Sequence, residues 1–366
     1  MKILICYASA GAGHVKAAQA IGDYLLARDA ALDIRLVDLL DKSNFLFGRI
    51  YAFGYAFLIR HCAFLWGAIF FLSATPIAGS FIRRIIYYFN LANLRNFSKE
   101  LVRWGPDLVV STHFLPAEVA ASLKKRELIR SRLITVITDF AVHPFWVCDP
   151  TDVYIAATSE TKRQLIGKNI ASGKIKDIGI PVARDFFRPH DKKALIGKLG
   201  LKEEFTVLIM TGSFGIGPIE KIVELLHGHV QLIVVCAKNK ALFNILSKKQ
   251  YPQVKVFGFV KNVHELMFCS DLIITKPGGL SISETLAVGL VPLFFNPIPG
   301  QEHANVQVLS LFRVGTLLKN TTDIVRIVRD LKDNPQKLAQ QLESVKRLKN
   351  NNVLEDLYNV IRESSA

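Results

Sequence analysis

The sequence predicts an α/β protein made of two doubly wound, Rossmann-like domains. Its 366 residues are too many for one typical domain and suit two. Twice along the chain, a short apolar segment runs into a glycine-rich turn and then into a helical pattern, first around Gly11 and again around Gly212. This alternation is typical of a parallel sheet covered by helices. We therefore predict one domain at residues 1–183 and a second at residues 184–366, whose last helix could pack back on the first domain.

The first domain opens with a strand and a glycine turn. Ile3–Tyr7 has the pattern of a buried strand, and the turn GAGH at residues 11–14 leads into a helix that extends to about Ala27. Lys16 occupies the position of the third glycine in the dinucleotide fingerprint, so that fingerprint is incomplete. His14 could make a local hydrogen bond at the helix N-terminus, or it could face a ligand.

Further strands of the first domain end in polar residues. The predicted strands are Leu108–Ser111, Leu133–Ile137 and Val153–Ala157. His113 follows the first of them and Asp139 the second, and ligands of open α/β sheets bind at the carboxyl ends of strands. Asp139 could instead cap a turn, and His143 could be a packed loop histidine.

The second domain follows a polar, basic stretch at residues 183–199, which we interpret as a linker. Its predicted strands are Phe205–Met210, Gln231–Cys236, Lys255–Val260, Leu272–Thr275 and Val291–Phe295. The turn after the first of these strands contains Gly212 and Ser213. If the protein binds a diphosphate, the backbone N–H groups of this turn would lie near it and could donate hydrogen bonds to it.

The most informative stretch is residues 270–307. The buried strand ends at KPGG, and a helix is predicted from Leu280 to Val288 with Gly289 as its C-cap. Glycines 278 and 279 let the backbone approach a ligand, and the free N–H groups of the first helical turn attract a diphosphate. Glu284 could accept from both ribose hydroxyls, and Gln301 and Glu302 could bind sugar hydroxyls. On chemistry alone, an ordinary βαβ corner remains an alternative.

The motif KPGGxxxxE followed by PxPGQExxN resembles the donor-binding signature of a glycosyltransferase family. This family is related to the peptidoglycan enzyme that transfers N-acetylglucosamine from UDP. The sequence is most similar to the branch that contains plant monogalactosyldiacylglycerol synthase and the bacterial processive diacylglycerol glucosyltransferases. GAGH and TDFxxHxxW resemble the same family. The short KPGG turn favours the bacterial branch.

The resemblance implies a GT-B fold, with two doubly wound domains facing across a cleft, and an inverting transfer of a hexose from a UDP-sugar to the hydroxyl of diacylglycerol. A base must then take the acceptor proton. His14 and Asp139 are the candidates, separately or as a pair. The implied donor-binding residues are Gly212, Ser213, Phe259, Val260, Gly278, Gly279, Ser281, Glu284, Gln301 and Glu302. The implied acceptor-side residues are Gly13, His113, His143 and Trp146.

The identity of the donor and acceptor stays open at this point. Glucose and galactose differ in one hydroxyl orientation. One rival interpretation is transfer of N-acetylglucosamine to a polyprenyl-linked precursor, and another is a non-catalytic, membrane-surface module that binds UDP. No DxD-type acidic pair stands out to hold a metal, and the UDP-sugar is a substrate, so we expect neither a metal nor a cofactor.

Composition indicates an anionic partner. The formal net charge is +15, but no compact basic tail with interleaved aromatic residues is present, which favours an acidic lipid surface over nucleic acid. The five cysteines include no CxxC pair, which argues against a zinc site or a disulfide framework and favours a reducing cytosol. The N-terminal apolar run is short and continues into fold-bearing sequence, unlike a signal peptide.

Residues 42–99 contain no Asp or Glu and are rich in aromatic side chains. We predict a monotopic segment on the cytoplasmic face of a membrane, with rings in the interface and arginines at acidic headgroups. The rings are those of Phe45, Phe47, Tyr51, Phe53, Phe57, Phe64 and Trp66, and the arginines are Arg49, Arg60, Arg83 and Arg84. The alternatives are a buried helical hairpin and a span at Cys62–Ile82, which carries no charged residue.

Overall fold

The computed structural model describes residues 1–363, except for the side chains of Ala52, Tyr55, Ala56 and Arg60. The chain divides into two compact units. The first contains Met1–Arg184, Ile298–Asn305 and the residues from Asn352 onward, and the second contains Asp185–Pro297 and Val306–Asn351. The predicted division into residues 1–183 and 184–366 places its boundary at a similar point but does not include the short return of Ile298–Asn305 to the first unit.

Strands and helices alternate along most of the chain. The strands are β1 (Lys2–Tyr7), β2 (Asp33–Asp38), β3 (Leu108–Ser111), β4 (Arg132–Val136), β5 (Val153–Ile155), β6 (Ile175–Lys176), β7 (Thr206–Met210), β8 (Gln231–Val235), β9 (Val254–Phe257), β10 (Leu272–Thr275), β11 (Val291–Phe295) and β12 (Thr316–Leu318). The helices are α1 (Ala12–Arg28), α2 (Phe45–His61), α3 (Ala63–Ala74), α4 (Ile77–Asn93), α5 (Arg95–Trp104), α6 (Phe114–Lys125), α7 (Ser159–Ile166), α8 (Lys192–Leu199), α9 (Ile219–Leu226), α10 (Lys240–Lys249), α11 (Val263–Phe268), α12 (Gly279–Val288), α13 (Gln301–Leu311), α14 (Thr322–Asp333), α15 (Pro335–Leu348) and α16 (Val353–Glu363).

Each unit contains one parallel sheet of six strands. The order is β2-β1-β3-β4-β5-β6 in the first unit and β12-β11-β10-β7-β8-β9 in the second. In both sheets the chain reverses its direction of travel once, between β1 and β3 and between β7 and β10. Open α/β sheets bind ligands at such switch points, beyond the carboxyl ends of the strands. The predicted pair of doubly wound domains is confirmed.

Both faces of the first sheet are covered. Ile3 and Ile5 point to the face where α1 and α16 pack, and α16 contributes Leu357 and Ile361 to that core. The alternate residues, such as Leu4, belong to a second core with side chains of α5 and α6. Every residue of β3, β7, β8, β10 and β11 is buried, as expected for parallel strands with helices on both sides.

The region that we interpreted as a linker is partly helical. Residues 192–199 form α8, because Asp191 accepts hydrogen bonds from the backbone N of Lys193 at 3.0 Å and of Ala194 at 3.1 Å. Gly200 ends that helix in the left-handed conformation, with φ +61°. The linker prediction is therefore wrong for this part, because it weighed polar composition more heavily than the capping pattern.

Helices α2, α3 and α4 carry many exposed apolar side chains. Phe45 is 72% exposed, Phe64 86% and Phe81 69%. Phe47, which we predicted to lie at an interface, is instead buried in the second core of the first unit, together with Leu4, so that assignment is wrong. Within the described residues, no single helix is long and apolar enough to span a membrane. The pair α3 and α4 passes on length and composition together, but it bends by 102° at its junction.

Candidate active site

His14 lies in the first turn of α1, at the switch point of the first sheet. Its Nδ1 is 2.8 Å from the backbone carbonyl of Thr112 and 2.8 Å from Thr138 Oγ1. A carbonyl oxygen only accepts, so Nδ1 carries the hydrogen and Nε2 carries the lone pair. Thr112 Oγ1 donates to the backbone carbonyl of His14 at 2.9 Å, which ties the start of α1 to the end of β3. The sequence and topology thus place a basic ring nitrogen at the sheet edge.

The surroundings of His14 favour its neutral form. Burial lowers the pKa of His14, while the negative charge of Asp139 acts in the opposite direction. The His113 ring lies edge-on with its centroid 4.5 Å away, and the Trp146 centroid is 6.3 Å away. A neutral imidazole with a nearby carboxylate can accept a proton and hold the resulting charge.

Asp139 lies beyond β4, and α13 supplies its hydrogen-bond donors. Its side chain is nearly buried, and its Oδ1 accepts from Gln301 Nε2 at 2.8 Å and from Asn305 Nδ2 at 3.3 Å. Asn305 Oδ1 in turn accepts from the backbone N of Phe140 at 2.9 Å and of Ala141 at 3.1 Å. The first unit therefore brings together GAGH, TDF and PGQExxN, three motifs that are far apart in the sequence.

The two other histidines of the predicted acceptor side act as helix caps. His113 Nδ1 accepts from the backbone N of Leu115 at 3.0 Å at the start of α6, and burial lowers the pKa of His113 well below its usual value. His143 Nδ1 accepts from the backbone N of Phe145 at 3.2 Å, and its Nε2 lies 3.1 Å from the carbonyl of Phe70 in α3. Burial lowers the pKa of His143 to about 4. These contacts favour the packed loop histidine over an acceptor ligand at His143.

The remaining predicted residues of the first unit have mixed surroundings. Trp146 is buried and packs as a wall beside the two rings of His14 and His113. Gly13 is half-buried in the first turn of α1, so the helix begins inside the predicted turn. Glu302 Oε2 accepts from the backbone N of Ile298 at 2.7 Å, so one of its oxygens shapes its own loop.

The second unit places its two predicted glycine turns at neighbouring strand ends. Gly212 and Ser213 follow β7, Gly278 and Gly279 follow β10, and these strands pair with Met210 opposite Thr275. Gly212 has φ +81°, a conformation that other residues rarely adopt. The N-terminus of α12 opens at Gly278 without a side-chain cap, so its first N–H groups stay available for an anion.

Further predicted donor residues lie around these turns. Ser281 is half-buried and Glu284 is only 3% exposed, both on α12. Phe259 is 64% exposed and Val260 is half-buried after β9, which is separated from β7 by β8. All of these residues therefore lie at or beyond the carboxyl edge of one sheet.

Three residues at the site were not predicted from the sequence. Thr112 and Thr138 fix the His14 ring, and Asn305 holds the Asp139 loop. One indication of each was present in the sequence: Thr112 and Thr138 follow predicted strands, and Asn305 belongs to the motif PxPGQExxN. Their partners lie more than 90 residues away in the chain, so only the fold reveals the contacts.

Comparisons with known proteins agree with this architecture. The monogalactosyldiacylglycerol (MGDG) synthase family matches residues 14–182, and the glycosyltransferase family 28 C-terminal domain matches residues 206–357. The processive diacylglycerol beta-glucosyltransferase of Staphylococcus carnosus is 30% identical over 270 residues, which cover 72% of this chain and 68% of the relative. The chain belongs to this glycosyltransferase family. The Staphylococcus haemolyticus relative of the same name is 28% identical over 377 residues, covering 100% of this chain and 94% of the relative.

Solved structures show the same fold. MurG of Acinetobacter baumannii has a TM-score of 0.60 and 14% identity, and the match covers 99% of both chains. S. aureus MnaA, solved with UDP, has a TM-score of 0.64 and 14% identity, covering 99% of this chain and 96% of that one. This family member therefore has the GT-B fold, as its motifs predicted.

Proposed function

We propose that the protein transfers a hexose, with glucose as the preferred donor sugar, from UDP to the hydroxyl of diacylglycerol, with inversion at the anomeric carbon. The convergence of His14, Asp139 and α13 at one switch point is the observation that carries this proposal. The choice of glucose is supported by the relatives that are named beta-glucosyltransferases. The choice of diacylglycerol has the same support.

The acceptor proton goes to the pair formed by His14 and Asp139. The hydroxyl oxygen of diacylglycerol forms the new bond to the anomeric carbon while the bond from that carbon to the diphosphate breaks. UDP leaves with the electron pair, and the hydroxyl proton passes to Nε2 of His14. The carboxylate of Asp139 then stabilises the imidazolium, since its charge raises the pKa of His14 against the effect of burial.

The donor binds at the glycine turns of the second unit. Backbone N–H groups after Gly212 and Gly278 donate hydrogen bonds to the diphosphate oxygens, together with the N–H groups at the N-terminus of α12. Glu284 binds the ribose, and the segment at Phe259 and Val260 holds the base. Gln301 and Glu302 bind the sugar. We propose that the departing diphosphate is stabilised by these donors, without a metal or a cofactor, because no acidic pair of the DxD type stands out in the sequence.

The acceptor reaches the protein from a membrane surface, on the cytoplasmic face. Diacylglycerol is too apolar to diffuse through water, and the exposed rings of α2, α3 and α4 fit an interfacial helix group. Arg49 and Arg84 are exposed there and suit acidic headgroups, whereas Arg83 donates to the carbonyl of Ser73 at 2.5 Å. Arg60, also predicted to contact lipid, lies outside the described side chains.

A donor panel tests the function. Purified protein is incubated with UDP-glucose, UDP-galactose or UDP-N-acetylglucosamine and with either detergent-dispersed diacylglycerol or a polyprenyl diphosphate lipid. The lipid products are resolved by mass spectrometry and proton NMR. We expect a β-linked glucosyl lipid from UDP-α-glucose. Transfer of N-acetylglucosamine to a polyprenyl diphosphate lipid alone would favour the rival enzyme, and UDP binding without any transfer would favour the non-catalytic module. Either result contradicts the proposal.

A further inference from the structure

We propose that Asn305 is a positioning residue for the acid–base pair of His14 and Asp139: its amide orients the carboxylate of Asp139 and fixes the loop that carries it. The inference rests on the proposed transfer reaction and assigns a residue to its proton-transfer step. It concerns a side chain in the middle of the α13 sequence, four residues beyond Gln301.

The Asn305 amide uses both of its ends on the same loop. Nδ2 donates to Asp139 Oδ1 at 3.3 Å, while Oδ1 accepts from the backbone N of Phe140 at 2.9 Å and of Ala141 at 3.1 Å. A primary amide can do this because it carries a donor and an acceptor on one carbon. Aspartate would keep the acceptor and lose the donor, and alanine would lose both.

Burial shows that Asn305 acts through Asp139. Asn305 is 0% exposed, so it is not placed to touch a substrate, whereas Gln301 is half-buried and donates to the same carboxylate oxygen at 2.8 Å. A carboxylate is planar and rigid, so two donors on Oδ1 also set the direction of Oδ2. The carboxylate that stabilises the protonated His14 is thereby held in one orientation before any substrate arrives.

The chemistry of the two donors suits a carboxylate whose negative charge stabilises a protonated His14. Both are neutral amides, so they orient the carboxylate without placing a cation beside it, which would depress its basicity strongly. The charge of Asp139 acts on His14, and the His14 ring lies edge-on to the ring of His113. An added negative charge at position 305 would therefore act on this small set of groups and make each of them harder to deprotonate.

The loop has a second, independent attachment. Thr161 Oγ1 at the start of α7 donates to the carbonyl of Phe140 at 2.7 Å. This bond holds the backbone but does not contact the Asp139 carboxylate. Loss of the Asn305 amide should consequently loosen the carboxylate more than it loosens the loop, which separates a positioning role from a purely structural one.

The test compares Asn305→Ala and Asn305→Asp with the control Gln231→Ala. Gln231 is also a buried amide, with bonds to the carbonyl of Lys202 at 3.1 Å and to Thr206 Oγ1 at 2.8 Å, but it lies at the first residue of β8, at the opposite end of the strands from the glycine turns. Transfer from UDP-glucose to dispersed diacylglycerol is measured across pH, together with the UDP Kd and the melting temperature.

We expect kcat to fall about 10²-fold in both Asn305 variants, with the UDP Kd unchanged. In Asn305→Asp the acidic limb of the kcat/KM profile should move upward by about one pH unit, because the new carboxylate disfavours deprotonation of its neighbours. Gln231→Ala should melt at a lower temperature and keep both kcat and the limb. If the Asn305 variants fail to fold, Gln301→Glu at the same oxygen should still shift the limb upward.

The inference would be overturned if Asn305→Asp had the wild-type kcat and an unshifted acidic limb of its kcat/KM profile. If the Asn305 variants do not fold, an unshifted acidic limb in Gln301→Glu would overturn it. An equal loss of kcat in Gln231→Ala would also overturn it, by showing that general destabilisation is sufficient. Failure of the proposed function is recognised separately, because the wild-type protein would then form no glycosylated lipid.

Discussion

Both units have one switch point in a parallel sheet, but the strand-end loops around it differ in chemistry. In the first unit, the loops at the switch point carry titratable side chains, His14, His113 and Asp139. In the second unit, the corresponding turns carry glycines and open backbone N–H groups, with Gly212 and Gly278 at neighbouring strand ends. In the proposed function, the same kind of sheet edge presents acid–base groups in the first unit and anion-binding backbone in the second.

A strand end does not by itself specify a function. A proton acceptor requires a side chain whose tautomer and orientation are fixed, and the first unit provides this through Thr112, Thr138 and α13. A diphosphate requires donors that no side chain blocks, and we propose that the glycine turns of the second unit provide them. Substitutions should therefore affect turnover in the first unit and nucleotide affinity in the second.

The largest expected effect belongs to the first unit. Asp139→Asn removes the charge that stabilises a protonated His14 while it nearly preserves the side-chain shape. We expect turnover to fall by about 10²–10⁴-fold with UDP affinity intact. His14→Ala should behave in the same way. Retention of turnover in both variants, or a loss of UDP binding in either, would contradict the assignment of proton transfer to His14 and Asp139.

The next effect belongs to the second unit. Glu284→Ala should weaken UDP binding by about 2–4 kcal/mol, because charge-assisted hydrogen bonds to the ribose are lost. Isothermal titration with UDP measures this, and a thermal melt checks that loss of a buried side chain has not unfolded the unit. The exposed carboxylate variant Glu343→Ala on α15 is a suitable control. Unchanged UDP affinity in a folded Glu284→Ala protein contradicts the ribose assignment.

The first unit also contains a partly buried carboxyl group that does not lie in a strand-end loop. Glu118 on α6 accepts from Asn90 Nδ2 of α4 at 2.9 Å, and burial raises the pKa of Glu118 from an ordinary 4.5 to about 7. The folded chain therefore holds this proton to higher pH than the unfolded chain, so the stability contribution is fully present below pH 4.5 and is lost as pH rises to about 7.

Glu118→Gln should remove this pH dependence. The variant should be more stable than wild type above pH 7 by roughly 3–3.5 kcal/mol and similar to it near pH 4, since each unit of pKa is worth about 1.4 kcal/mol. Melting curves across pH measure the difference. Glu100→Gln, at a surface ion pair with Lys42, is the control. A stability gain that does not depend on pH would contradict the explanation.

The smallest expected effect is on the affinity for acidic liposomes. It distinguishes the surface of α2–α4 from the rest of the protein surface. Phe64→Ser and Phe81→Ser should each weaken binding to acidic liposomes by about 1 kcal/mol, because each removes an apolar ring from the interface. Leu311→Ser is the control, since Leu311 is 66% exposed but lies on α13. Binding should also weaken with salt, and more so in wild type than in Arg49→Gln with Arg84→Gln.

Two outcomes of the liposome experiment would contradict the monotopic arrangement. Wild-type protein that remains in the membrane pellet after alkaline carbonate would indicate a span through α3 and α4. Equal binding by the ring variants and the Leu311 control would indicate that these rings do not contact lipid.

The sequence was most informative where local pattern decides structure. The predicted strands at Leu108–Ser111, Leu272–Thr275 and Val291–Phe295 match β3, β10 and β11 at both ends, because an uninterrupted apolar run stops at a clear breaker. Gly289 ends α12 with φ +89°, as predicted from its position after the helix. The exposure of Phe45 and the burial of Phe47 could not be separated, because both belong to one aromatic-rich helix whose packing side depends on the fold.

The site was predicted by motif but not by contact. The motifs named Asp139 and Gln301 separately, yet their hydrogen bond spans 162 positions in the chain. Asn305 carried no separate signal, because an asparagine in a helix has no feature that reveals a buried partner. The capping role of His143 was likewise hidden, since it depends on α3 lying beside the loop. These features depend on contacts between residues that are far apart in the sequence, rather than on the local secondary-structure preferences of the residues.

The most direct test of the account is the pKa of the His14 imidazole, measured by NMR on labelled protein in wild type and in Asp139→Asn. It needs no substrate and addresses the claim that the first unit holds a coupled acid–base pair. Burial lowers this pKa and the Asp139 charge raises it, so removal of the charge should lower it further. An unchanged His14 pKa in a folded Asp139→Asn protein would contradict the account.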